Sequence, residues 1–161
     1  MIVALGLLDA HQTQATKNIH LRALRLLNYA TSHPDSTIRY LASNMVLHIH
    51  SNASYLSEPK ARIRAGSYYF LGNCYPVSHQ PPSGKYAIIG PIFTISKILS
   101  NVMASAAKAE IGATVLNGQE SIPICATLVK LRHAQSPTPL CVDNSTATGF
   151  ANYAIKTIQI H

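Results

Sequence analysis

Two carboxylates lie where the surrounding sequence suggests no structural reason for them. Glu110 lies in an alanine-rich segment with helical spacing, and Asp143 follows the apolar run at 138–142. Asn52 ends another apolar run, which begins at Met45. Three carboxylates at one place can hold two magnesium ions, which prefer oxygen ligands and, about 4 Å apart, drive phosphodiester hydrolysis. If the three residues converge, they form such a site with Asn52 in place of one carboxylate.

Each of these residues also has an ordinary structural explanation. Glu110 fits an exposed helical carboxylate, Asp143 fits a helix N-cap before Asn-Ser-Thr, and Asn52 fits a turn. His48 and His50 share the predicted strand face of Asn52 and suggest a transition-metal site. Half-buried histidines packed on a strand face are commoner, and no further ligand has a defined spacing from this pair.

Hydrophobic periodicity predicts the elements that must position these side chains. The predicted helices cover residues 17–30, 101–116, 122–131 and 145–155, with Pro123 starting or kinking the third. The predicted strands cover residues 45–51, 65–71, 86–98 and 138–143, with loops at 31–36, 56–61 and 73–85. This order predicts an α/β fold whose sheet is mixed: an antiparallel three-strand meander plus a parallel strand, flanked by helices.

Composition points to a globular domain with an anionic partner. The 161 residues are 47% hydrophobic and 12% charged, which is unlike a disordered chain. Thirteen Lys and Arg against six Asp and Glu give a net charge of +7, which favours nucleic acid or an acidic membrane surface. The basic residues form no block, so a shortage of carboxylates explains the charge equally well.

Several protein classes lose support from missing patterns. The sequence contains no GxGxxG, GxxxxGK[ST], GxSxG or HExxH motif, so nucleotide-binding and simple hydrolase interpretations are disfavoured. Cys74, Cys125 and Cys141 are odd in number and lack CxxC spacing, which indicates a reducing compartment, the cytoplasm or nucleus. The apolar start, residues 1–8, has no basic flank and is too short for a signal peptide or a membrane span.

Four segments together resemble the ribonuclease H domain of copia-type retrotransposon polyproteins. They are Met45-Val-Leu-His-Ile-His-Ser-Asn-Ala-Ser-Tyr-Leu56, Ala61-Arg-Ile-Arg-Ala-Gly66, Ala104-Ser-Ala-Ala-Lys-Ala-Glu-Ile-Gly112 and Val142-Asp-Asn-Ser-Thr-Ala-Thr-Gly149. The resemblance covers about residues 37–155 and implies a ribonuclease H-like domain at 37–161. Residues 1–36, with their helix, resemble the end of the connection segment that follows the reverse transcriptase.

The resemblance assigns roles to the three polar residues. The first catalytic aspartate of the family falls on Asn52, the helical glutamate on Glu110, and the strand-end aspartate on Asp143. Lys108 occupies an acidic position of the family's helix motif. A further metal-binding aspartate of the family has no acidic counterpart after Asp143, so the domain is expected to be C-terminally truncated.

The resemblance implies a two-metal hydrolase that cuts the RNA strand of an RNA–DNA hybrid, with Mg²⁺ held by Glu110, Asp143 and Asn52. The loss of negative charge at Asn52 predicts weak or absent cleavage and weakened magnesium binding. Expected partners are an RNA–DNA hybrid or other nucleic acid and the rest of a polyprotein, with no membrane. Four residues of the second strand region are further candidates for backbone contacts, although packing explains the tyrosines equally well: Arg62, Arg64, Tyr68 and Tyr69. The alternative is a degenerate or domesticated module without catalysis.

Overall fold

The computed structural model describes residues 2–9, 11–58, 61–73 and 90–152. The chain divides into two compact units, Met1–Arg39 and Tyr40–His161. The first unit contains helix α1 (Ile2–Asp9), a 3-10 turn (Gln12–Gln14) and helix α2 (Lys17–Ser32). Helix α2 begins where the hydroxyl of Thr16 accepts the N–H of Ile19 at 3.3 Å. The helix predicted at 17–30 is confirmed, whereas a domain boundary after residue 36 stays a prediction.

The second unit is an α/β domain. Its strands are β1 (Val46–Glu58), β2 (Arg62–Gly72), β3 (Phe93–Leu99) and β4 (Leu140–Val142), and its helices are α3 (Ala106–Lys130) and α4 (Ser145–Ala151). In the described residues the strands form one open sheet in the order β3-β2-β1-β4. Strands β1, β2 and β3 pair antiparallel in sequence, and β4 pairs parallel with β1. The predicted mixed sheet, a meander plus one parallel strand, is confirmed.

The alternation of side chains along β1 decides which face of the sheet is the core. Leu47 and Ile49 are buried with Tyr69 of β2 and Leu128 of α3. Because successive side chains of a strand point to opposite faces, His48, His50 and Asn52 lie on the face turned away from α3.

Asn117 joins α3 to the middle of the sheet. Its side chain is fully buried, and its Nδ2 donates to Ser51 Oγ at 2.8 Å and to the Gly66 carbonyl at 3.3 Å. The Tyr69 hydroxyl donates to the main-chain carbonyl of Asn117 at 3.0 Å. These hydrogen bonds fix the position of α3 on β1 and β2.

A buried ion pair closes the hairpin between β1 and β2. Arg64 Nε donates to Glu58 Oε1 at 2.6 Å, and its Nη1 donates to the carbonyl and the hydroxyl of Ser96 on β3, each at 3.2 Å. The predicted loop at 56–61 is therefore wrong in its first half, because β1 continues to Glu58. The strand continues through an irregularity between Ser54 and Glu58, where Leu56 has a φ of 54°.

Pro123 does not divide α3. We expected it to start or kink a second helical piece at 122–131, but one helix runs from Ala106 to Lys130 with Pro123 inside it. Because proline has no N–H, the Gln119 carbonyl four residues earlier loses its helical donor. Both residues are exposed, so water can hydrogen-bond that carbonyl. The hydroxyl of Thr127 donates to the Pro123 carbonyl at 2.8 Å.

Other element boundaries also differ from the predictions. Helix α3 begins later than residue 101 because Ser105 caps it, its hydroxyl accepting the N–H of Lys108 at 3.2 Å. The structure confirms the short strand at 138–143 as β4. Most of the predicted loop at 73–85, residues 86–89 of the third predicted strand and residues 153–155 of the last predicted helix lie outside the described residues.

Replacing Asn117 with alanine should lower the free energy of unfolding by about 2 kcal/mol or more, because Ser51 Oγ and the Gly66 carbonyl lose a donor inside the protein. Urea denaturation followed by circular dichroism measures this loss. The matched control is Gln119→Ala at an exposed position of α3, expected to change stability by less than about 0.5 kcal/mol. Equal losses for the two variants would show that the Asn117 hydrogen bonds do not stabilise the fold.

Candidate functional site

Asn52, in the middle of β1, lies beside Asp143, which directly follows the end of the parallel strand β4. Ser51 of β1 is in register with Val142 of β4, so the next residue along each strand brings Asn52 beside Asp143. Both side chains are exposed, and both line one cavity of about 560 Å³. Asn52 lies within β1 opposite Gly66, so its alternative interpretation as a turn residue is wrong.

Glu110 reaches the same end of the sheet from α3. Its Oε1 accepts the main-chain N–H of Ala53, the residue after Asn52, at 2.9 Å. The residue is only 5% exposed, so the alternative interpretation as a solvated helical carboxylate is wrong. The structure therefore brings all three predicted site residues to the region where β4 ends beside β1, with Glu110 on the α3 side of the sheet and the Asn52 side chain on the opposite face.

The electrostatics of Glu110 depend on this position. Burial raises the pKa of its carboxyl group, the Ala53 N–H opposes that rise, and the negative charge of Asp143 raises the pKa further. Its second oxygen, Oε2, is buried and has no hydrogen-bond partner in the described part of the chain. A cation or a proton at this carboxylate would compensate for the missing donor.

The donor set at this end of the sheet is two carboxylates and one amide. Oxygen ligands of this kind suit magnesium, and the uncompensated Oε2 of Glu110 fits a cation. Across the described residues, no three or more His, Cys, Asp or Glu side chains are arranged to hold a metal ion. The side chain of Lys108 is exposed and adds a positive charge two residues before Glu110.

Asp143 does not cap the helix that follows it. The N-cap of α4 is Asn144, whose Oδ1 accepts the N–H of Ala147 at 3.0 Å. The alternative interpretation of Asp143 as an N-cap is therefore wrong, and its carboxylate remains available at the strand end.

His48 and His50 pack on the sheet. The ring of His48 is buried, lies 5.2 Å from that of Phe70 and places Nε2 3.1 Å from the Asn73 carbonyl. Burial lowers the pKa of both histidines, and the charge of His50 lowers that of His48 further. These contacts fit the packing interpretation better than a transition-metal site.

Two of the candidate nucleic-acid contacts have structural roles. Arg64 is buried against Glu58, and Tyr69 is fully buried with its hydroxyl on α3. Tyr68 instead lines the cavity beside Asn52 and Asp143.

Sequence reasoning missed two groups that complete the site. The Ala53 N–H orients Glu110, and Thr148 of α4 lines the cavity. A main-chain donor has no sequence signature. Thr148 lies one helical turn after the N-cap Asn144, so a helix predicted to start there would return it toward the end of β4.

Comparison of the chain with protein-family models, curated proteins and solved structures found no significant match.

Replacing Glu110 with glutamine should stabilise the protein increasingly as pH rises. Glutamine keeps an acceptor for the Ala53 N–H and removes the buried charge. Below about pH 4 the glutamate is mostly protonated in folded and unfolded chains, so the two proteins should differ least there. Above that pH the unfolded wild-type chain releases its proton first, so wild-type stability falls relative to that of Glu110→Gln.

Thermal and urea unfolding from about pH 4 to about pH 8 measure this difference. A raised pKa at Glu110 requires the stability difference between Glu110→Gln and the wild type to widen with pH. The difference should level off once Glu110 has also lost its proton in the folded wild-type protein. A difference that is constant or shrinks with pH would contradict a raised pKa at Glu110.

Proposed function

We propose that the chain is a ribonuclease H-like domain derived from a copia-type retrotransposon polyprotein, with a catalytic site that has lost most of its activity. The observation that carries this proposal is that Asn52, Glu110 and Asp143 all lie in the region where β4 ends beside β1, close enough for the charge of Asp143 to act on Glu110. These are the positions on which the catalytic residues of that family fall.

The order of the elements supports the same proposal. The resemblance implies an antiparallel three-strand meander, a helix bearing the glutamate, and a fourth strand parallel to the first. The second unit has β1, β2 and β3 antiparallel, then α3 with Glu110, then β4 parallel to β1. Other α/β proteins share parts of this arrangement, so the proposed function depends on the site rather than on the fold.

Glu110, Asp143 and Asn52 would hold the magnesium in this proposal. Bound magnesium would activate a water molecule and stabilise the leaving oxygen of an RNA phosphodiester. The Ala53 N–H keeps Glu110 turned toward the strand ends, and the β1–β4 pairing holds Asn52 beside Asp143. The chain's own contribution is therefore the positioning of its oxygen ligands.

The same geometry explains why activity should be weak. Asn52 supplies a neutral carbonyl where a carboxylate would supply a charge, and Lys108 adds a positive charge on the same helix. With only Glu110 and Asp143 negative, the attraction for a divalent cation is reduced. Cleavage and magnesium affinity should both be lower than in a site with a carboxylate at position 52.

A non-catalytic module is the second candidate function, and the neutral Asn52 favours it. Such a domesticated or degenerate domain would keep the sheet as a structural or nucleic-acid-binding module, and the net charge of +7 supports the nucleic-acid-binding form. We place either form in a reducing compartment, the cytoplasm or nucleus, with an RNA–DNA hybrid or other nucleic acid and the rest of a polyprotein as partners. Residues 1–36 would be the remnant of the reverse transcriptase connection. In the part of the chain that the structure describes, no helix has the length and apolar character needed to cross a membrane.

With magnesium present, the protein should bind a labelled RNA–DNA hybrid more tightly than a DNA duplex of the same sequence and cut it poorly. Binding should weaken as salt rises, because counterions are released from the phosphates. Fluorescence anisotropy measures binding, and denaturing electrophoresis of the labelled RNA strand measures cleavage.

The matched variants are Glu110→Gln at the site and Glu120→Gln elsewhere on α3. Efficient cutting that Glu110→Gln abolishes and Glu120→Gln preserves would contradict the claim of lost activity. Absence of affinity for any nucleic acid at low salt would contradict the ribonuclease H-like proposal and favour a purely structural module. Equal affinity for hybrid and duplex would favour the non-catalytic module.

A further inference from the structure

The cavity beside Asn52 and Asp143 opens on the face of the sheet turned away from α3. Its volume is about 560 Å³, within the usual range of small-molecule sites. It lies over neighbouring strands β4, β1 and β2 and extends to α4. Among the described residues, its lining includes His50, Asn52, Tyr68, Asp143 and Thr148.

Two aromatic side chains form one wall of this cavity. His50 and Tyr68 are register partners on β1 and β2. The His50 ring lies 5.5 Å from the buried Phe70 ring at 24°, and the Tyr68 ring lies 5.8 Å from it at 55°. Because both rings pack on the same buried ring, the wall is held in place before any ligand arrives.

The polar part of the lining accepts hydrogen bonds more readily than it binds anions. Asn52, Asp143 and Thr148 are exposed where they line the cavity. The carboxylate oxygens of Asp143 accept hydrogen bonds and do not donate them. Neither lysine nor arginine occurs among the described residues of the lining. Without a bound cation a phosphate group would therefore be repelled here, whereas a neutral ring bearing an amino group would be accepted.

We propose that this cavity binds one unpaired nucleobase of a single-stranded nucleic acid. The base stacks on the Tyr68 and His50 wall and donates an amino hydrogen to Asp143, while the phosphates remain outside, attracted by the chain's positive charge. This inference rests on the proposed function only for the statement that the chain binds nucleic acid. It adds a ligand that base-paired hybrid cannot supply, since its bases are stacked inside the duplex.

Two single-stranded oligonucleotides with the same phosphates test the inference on the full chain. One is entirely abasic, and the other carries a single adenine at its centre. Anisotropy should show that the adenine strengthens binding about tenfold or more. Equal affinity for the two oligonucleotides would overturn the inference, and it would leave the hybrid-binding proposal intact if the hybrid still binds.

Tyr68→Leu should remove most of the adenine's effect while leaving the affinity for the abasic oligonucleotide unchanged. Leucine keeps apolar contact with Phe70 but presents no ring to the base. Tyr55→Leu is the matched control, because Tyr55 lies on β1 and is exposed. Circular dichroism checks that both variants fold. If Tyr68→Leu does not fold, free adenosine provides the test: chemical-shift changes at the Tyr68 ring support the inference, and their absence overturns it.

Discussion

The hydrogen bond from the Ala53 N–H to Glu110 Oε1 connects helix α3 to the middle of strand β1. Seven residues further along α3, Asn117 donates to Ser51, two residues earlier on β1. Residues seven apart share a helix face, and residues two apart share a strand face. These two contacts therefore align the part of α3 between Glu110 and Asn117 with β1. The position of Glu110 against Ala53, the residue after Asn52, follows from this alignment.

That alignment places a carboxylate where it is costly. Glu110 is buried, one of its oxygens has no partner in the described part of the chain, and Asp143 adds a like charge nearby. A buried carboxylate without compensation destabilises a fold. A bound cation would remove the penalty, which is the physical reason for proposing a metal site here. The neutral Asn52 amide gives less local negative charge than an aspartate would, but it donates no hydrogen bond to Glu110 Oε2.

Periodicity predicted the elements that carry this site. The apolar alternation from Met45, the helix bearing Glu110 and the short strand before Asp143 all occur in the structure. The sequence did not indicate that α3 continues through Pro123, because that depends on the proline being exposed. It also offered Asp143 as an alternative cap of α4, whereas the cap is Asn144, since both residue types cap helices well. Contacts through main-chain atoms, such as that of Ala53, and the cavity on the far face require the register and are not encoded in any local pattern.

The central claim is that Asn52 occupies a ligand position of a metal site completed by Glu110 and Asp143. The most direct measurement is a crystal structure of Asn52→Asp soaked in Mn²⁺, with anomalous scattering used to locate the ion. We predict an anomalous peak bound by the introduced carboxylate, Glu110 and Asp143, and a weaker peak in wild-type crystals soaked in the same way. An absence of any peak between these three side chains in Asn52→Asp, with the fold unchanged, would contradict the claim.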